Sequence, residues 1–261
     1  MMKKISLLII FMLVSLHQNV GHIVKGVKSV SILFTSQRWL QPDKKKYALQ
    51  DVTADFSREL TAFCGPSGSG KSTLAKLIHG QFLEEDYEGI VDSTSLVSNI
   101  PTVYLDPLFY LTYDSSRTVG HYLMAGIMAE ERSVLFRNLQ TSFDVPNEKV
   151  INNLLESQKK FFEILLCFSR IDALPNDSRG LLILDEYLDR DMPSVRTIFF
   201  QKIRELFSNT NITFQVIIIS HSKGVCNCCD AVVALKNGFV YSNGSPHKVM
   251  KYLPPEFVIL Q

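Results

Sequence analysis

The segment Gly65-Pro66-Ser67-Gly68-Ser69-Gly70-Lys71-Ser72-Thr73 constrains this chain more than any other. It puts three glycines, a lysine and a hydroxyl pair where a short apolar run ends and a helical pattern begins. Leu60 to Cys64 reads as a buried strand, and Thr73 to Ile78 as an amphipathic helix. A glycine-rich turn between strand and helix lets backbone N–H groups converge on phosphate oxygens without Cβ atoms in the way. In that setting Lys71 reaches the β- and γ-phosphates of a nucleoside triphosphate, and the Ser72 hydroxyl ligates Mg²⁺.

Two apolar strands downstream complete the pattern. Leu181-Leu182-Ile183-Leu184 ends in Asp185-Glu186, as a buried parallel strand does when its charge sits at the carboxyl end. Open α/β sheets hold their ligands at that end. Asp185 is expected to support Mg²⁺ and Glu186 to orient or deprotonate the attacking water. Phe214 to Ile219 then runs into Ser220-His221-Ser222, which offers His221 to a γ-phosphate oxygen.

Taken in order, GPSGSGKSTL, LLILDE and ISHS resemble the nucleotide-binding domain of ATP-binding cassette (ABC) proteins, over roughly residues 28 to 250. The closing stretch DAVVALKNGFVYSNGSPHKVM is similar to the family's last strands, with a hairpin turn at Asn237-Gly238 and a terminal helix. The resemblance implies a P-loop NTPase of α/β class. It has a mainly parallel core sheet flanked by helices, an antiparallel β edge and a helical subdomain near residues 115–172. It also implies ATP and Mg²⁺ as ligands, and an aromatic that stacks on adenine. Trp39 is the first choice for that aromatic and Tyr47 the second.

The chain departs from the family pattern in the half of the site that a cassette lends to its partner. Leu105 stands where the family carries a glutamine, and leucine neither ligates Mg²⁺ nor bonds water. Asp106 follows it, in what reads as an ordinary turn. The nearest match to the LSGGQ signature is Leu154-Leu155-Glu156-Ser157-Gln158, which has no glycine and puts a negative charge where a phosphate docks. After Glu186 the chain reads Tyr187-Leu188-Asp189-Arg190-Asp191, leaving either Asp189 or Asp191 as the aspartate that crosses to the other subunit.

A net charge of +1 gives no case for nucleic acid or an anionic membrane surface, and 46% apolar residues in 261 support a sizeable core. Cys226, Cys228 and Cys229 fit no zinc spacing even with His221 added, and read as helix residues. Lys44 to Lys46 reads as a solvated turn, and the sequons at Asn176, Asn211 and Asn243 carry little weight. Met1 to Gly21 has the layout of a secretory signal or an anchoring leader, with lysines, a short apolar run and then polar residues. Residues 22–261 are expected to form the ATP-binding domain, with 22–36 and 47–64 as edge strands leading into the phosphate loop.

The function expected is an ATP-hydrolysing ABC subunit that dimerises around ATP, as a homodimer or heterodimer, and powers transmembrane permease partners. Its place is the ATP-containing face of a membrane. The alternative is a soluble, non-transport ABC protein acting as a nucleotide-gated switch with weak turnover. A small-molecule kinase shares the loop, but has no use for a Ser-His strand or for some sixty residues ahead of the loop.

Overall fold

A strand that is apolar on both faces can sit only inside a sheet covered on both sides. Leu60–Cys64 (β3), Arg179–Asp185 (β6) and Thr213–Ile219 (β7) carry such runs. In the computed structural model they are interior strands of a six-stranded sheet of order β5-β6-β7-β3-β8-β9. The structure describes residues 24–33, 47–55, 59–81, 87–93, 102–105, 113–123, 134–169, 179–208 and 213–257. Thr102–Leu105 is β5, Ala231–Lys236 is β8 and Phe239–Gly244 is β9. All neighbours pair in parallel except β8 and β9. Those two are joined by Asn237 (φ 53°) and Gly238 (φ 83°), the left-handed pair that a tight hairpin requires.

A second, antiparallel sheet has the order β2-β1-β4, from Tyr47–Asp55, Val24–Leu33 and Tyr87–Ser93. It meets the first sheet where Gln50 N–H donates to Gly238 O at 2.9 Å. Of the span 47–64 expected to supply edge strands, Leu60–Cys64 does not, and is instead the buried strand that its apolar run predicts. β1 and β2 stand outside the parallel sheet, but Leu60–Cys64 lies between β7 and β8. Every one of its residues is buried, and only an interior strand can satisfy that.

The period of two along each strand divides the core. Leu181, Ile183, Ile217 and Ile219 face helix α1 (Lys71–Ile78) and the antiparallel sheet. Leu182, Leu184, Val216 and Ile218 face the larger cluster. That cluster is covered by α2 (Val119–Leu123), α3 (Val134–Phe143), α4 (Glu156–Phe168), α5 (Pro193–Phe207), α6 (Lys223–Asn227) and α7 (Pro246–Tyr252). α5 starts with Pro193 after an extended Met192, a position where the missing N–H costs nothing. It turns Phe199, Ile203 and Leu206 inward at helical spacing. Phe161 stacks between Phe143 (4.5 Å) and Phe199 (5.5 Å), tying α3, α4 and α5 together. Each such buried ring contributes on the order of 2 kcal/mol. Among the described residues no helix is long and apolar enough to cross a membrane.

Candidate nucleotide site

The phosphate loop has its shape because of what surrounds it. Gly65 has φ 144°, and a Cβ there would lie 2.1 Å from Leu235 O on β8. Gly70 has φ 102° and is pressed by Ala48 O and Leu49 Cδ2, each 2.7 Å from the Cβ position. The loop is closed by Ser69 N–H donating to Pro66 O (3.1 Å), and tied to the hairpin by Gly238 N–H donating to Ser69 O (3.1 Å). α1 begins at once, with Gly70 as its N-cap and no side chain capping its first turn. Its amides and the positive end of its dipole therefore face the loop. Lys71 is buried and donates to Gly65 O (3.0 Å) and Pro66 O (2.9 Å). Burial lowers its ammonium below the usual lysine range, with Glu186 and Asp185 pulling the other way. The Ser69 hydroxyl is buried and has no hydrogen-bond partner.

Asp185 ends β6 beside this loop. Its Oδ2 accepts a hydrogen bond from the Tyr104 hydroxyl at 2.7 Å, while its Oδ1 is buried without a partner. Burial pushes its carboxyl above the usual carboxylate range, against the opposing pull of the Tyr104 and Ser72 hydroxyls. An orphaned carboxylate oxygen beside a serine hydroxyl is the hard oxygen set that Mg²⁺ takes, so these residues fit that ion. Glu186 leaves the strand with φ 54°, anchored by its N–H on Ile219 O at 2.9 Å. That left-handed turn swings its half-exposed carboxylate towards the end of β7, where Oε1 lies 3.2 Å from His221 Nε2. The other ring nitrogen of His221, Nδ1, is buried and unpartnered. Lys71, Asp185, Glu186 and His221 thus come together at the carboxyl ends of adjacent strands.

The structure adds supports that the sequence reading missed. Asp189 is buried; its Oδ2 accepts from His221 N–H at 2.7 Å, and its Oδ1 accepts from the Ser220 hydroxyl. Arg196 on α5 donates to Asp191 O (2.9 Å), Asp189 O (3.1 Å) and Ser222 Oγ (2.9 Å). Asp191 pairs with Lys160 on α4 at 3.2 Å, so the two candidates for the aspartate that crosses to another subunit, Asp189 and Asp191, are both engaged within this chain. Tyr187 donates to Glu163 of α4, which also accepts from the Tyr113 hydroxyl at 3.3 Å. Apart from those of Arg196 with Asp189 and Asp191, these contacts join residues 24 or more apart in sequence, so no local motif announces them.

The stretch Leu154–Gln158 lies at the N-terminus of α4. Gln158 Oε1 folds back to accept from Leu155 N–H (3.2 Å), and Glu156 pairs with Lys159 (2.9 Å). Leu105 is fully buried. Tyr47 starts β2 next to Ala48, whose carbonyl presses on Gly70. Trp39, Asp106, the leader and the sequons at Asn176 and Asn211 lie outside the described residues. All five cysteines are free thiols, and Cys226 and Cys229 are buried in the larger core. A hydrogen bond with Cys64, and then burial, pushes the Cys226 thiol well up; burial does the same to Cys229. Among the described residues no cluster of three or more His, Cys, Asp or Glu side chains is placed to hold a metal.

Comparison with solved structures decides the fold. The chain superposes on cbiO1 of Clostridium perfringens, part of the ABC transporter complex cbiONQ, with a TM-score of 0.64 at 20% identity. The match covers 88% of this chain and 91% of that one. It also superposes on the ATP-binding cassette MJ0796, dimeric and bound to ADP and Pi, with a TM-score of 0.56 at 18% identity, covering 85% and 98%. This chain has the fold of the ABC ATPase cassettes.

No family model matches the chain. In sequence the chain resembles the energy-coupling factor transporter ATP-binding protein EcfA1 of Listeria monocytogenes, 25% identical over 229 residues, covering 80% of this chain and 76% of the relative. It is 28% identical over 238 residues to the mating factor M secretion protein mam1 of Schizosaccharomyces pombe, covering 84% of this chain but 16% of that protein. Its relatives also include proteins named for import and for export, the zinc import ATP-binding protein ZnuC of Ehrlichia ruminantium and the microcin-J25 export ATP-binding/permease protein McjD of Escherichia coli, at 24% and 26% identity.

Proposed function

We propose that this chain is an ATP-binding and ATP-hydrolysing ABC subunit that dimerises around nucleotide and drives transmembrane partner subunits. The observation that carries the reading is the convergence of an uncapped, glycine-built helix N-terminus with Lys71, Asp185, Glu186 and His221. The relatives, being ATP-binding components of transporters, support the same reading.

The residues of this chain divide the work. The amides of Gly68 to Thr73 cradle the phosphates, and Lys71 exchanges its own loop carbonyls for β- and γ-phosphate oxygens. Ser72 and the free Oδ1 of Asp185 would hold Mg²⁺, which when bound neutralises phosphate charge and orients the γ-phosphate. Glu186 accepts a proton from the attacking water, and His221, next to it, donates to the γ-phosphate as charge grows there. Trp39 or Tyr47 offers the flat face on which adenine stacks. The chain would lie on the ATP-containing side of a membrane, held there by its permease.

A second reading, a nucleotide-gated switch with weak turnover, is favoured by Glu156 in the first turn of α4, where it repels a partner-bound phosphate. Mg-ATP turnover by the full chain beside Glu186→Gln tests the first reading. Turnover is expected to fall at least about a hundredfold in the variant while ATP binding persists. Equal turnover in both proteins would overturn the assignment of Glu186. Recovery of the chain together with a polytopic membrane protein supports the transporter reading, and its persistence as a free dimer the switch.

A further inference from the structure

The register of β5 on β6 sends neighbouring residues of β5 to opposite faces of the sheet. Leu105 is opposite Leu184 and shares its core, on the side of helices α2 to α7. Tyr104 is opposite Ile183 and packs on the other face, against the core built on α1. Asp185 lies two residues beyond Ile183, so the same face brings it within reach of Tyr104. The phenol donates to Asp185 Oδ2 at 2.7 Å, and the buried Oδ1 keeps its lone pairs unengaged. The Tyr104 ring is itself held edge-on by the His79 ring, with centroids 5.5 Å apart.

We propose that Tyr104 is a positioning residue for the divalent cation that accompanies ATP. Holding Oδ2 fixes the carboxylate's rotation and leaves Oδ1 as the oxygen presented to the ion. A lone carboxylate on an aspartate turns about two side-chain bonds, and an orienting donor removes that freedom without consuming the ligating oxygen. The chain thereby keeps a polar link between β5 and the metal site, although leucine occupies the adjacent position where the cassette pattern has glutamine. This inference rests on the ATP-binding reading above.

The test compares the full chain with Tyr104→Phe, which keeps the ring and its packing and removes only the donor. A fluorescent ATP analogue is titrated first in EDTA, then at increasing Mg²⁺. The two proteins are expected to bind equally without metal, and the variant to need about tenfold more Mg²⁺ for the same tightening. Mn²⁺ substituted for Mg²⁺ is expected to be retained less by the variant, read from its paramagnetic signal. An equal or lower metal requirement in Tyr104→Phe would overturn the proposal and leave the ATP reading standing. Absence of ATP binding by the unaltered chain would overturn both.

Discussion

Gly65, Gly68 and Gly70 all lie in the left-handed region, but their surroundings differ. A Cβ at Gly65 would overlap Leu235 O, whereas nothing lies within 4 Å of the Cβ position at Gly68. Gly65→Ala is therefore expected to lose more than about 2 kcal/mol of stability, and Gly68→Ala about 1 kcal/mol, from backbone strain alone. Urea unfolding of the two variants measures the difference, and equal losses would contradict this account of the loop. The loop was legible in the sequence because its chemistry is contiguous. Tyr104 was not, because its partner Asp185 is 81 residues away and the pairing depends on strand register. The sequence drew attention to Leu105 instead, one residue from the side chain that reaches the site.

At the scale of elements, the segment after β6 is a platform rather than a free loop. Asp189 holds the start of the His221 turn, Arg196 fastens the segment to α5, and Lys160 and Glu163 fasten it to α4. Asp189→Ala leaves the Ser220 hydroxyl and the His221 N–H buried without their acceptor. It is expected to cost about 1–3 kcal/mol, measured by denaturant melting. Turnover is expected to fall with it while equilibrium ATP binding holds, since the Asp189 carboxylate bonds Ser220 and His221 at the end of β7. Loss of binding in step with turnover would show that the platform supports the whole site rather than the histidine. Strand identities could be read from apolar runs, but the order of strands could not. Leu60–Cys64 follows directly on the β2 segment in sequence, yet the fold separates them into different sheets.

The whole molecule carries an asymmetry between what it keeps and what it offers. Its own phosphate loop, acidic strand and histidine are all in place. The start of α4, which would face a partner's nucleotide, has Leu155 as an N-cap with no side-chain acceptor and Glu156 as its first residue. The double change Leu155→Ser with Glu156→Gly supplies a cap and removes the charge. In a homodimer it is expected to raise turnover several-fold, read as the steady-state rate per chain. An unchanged rate would mean that the opposing α4 does not limit hydrolysis. The fold class was legible because three motifs fell in one order along the chain. The departure from the signature was legible only as a mismatch, and its nearest match, Leu154 to Gln158, lies at a helix start whose polar groups, Gln158 and Glu156, are engaged with their own chain.

Phosphate chemistry at Lys71, Asp185, Glu186 and His221 requires nucleotide binding at Gly65 to Thr73. The most direct test is equilibrium binding of Mg-ATP by the full chain beside Lys71→Ala. Saturable binding that weakens about a hundredfold in the variant is expected, given the charge-assisted contacts that lysine supplies. Equal affinity in the two proteins, or no binding by either, would contradict it.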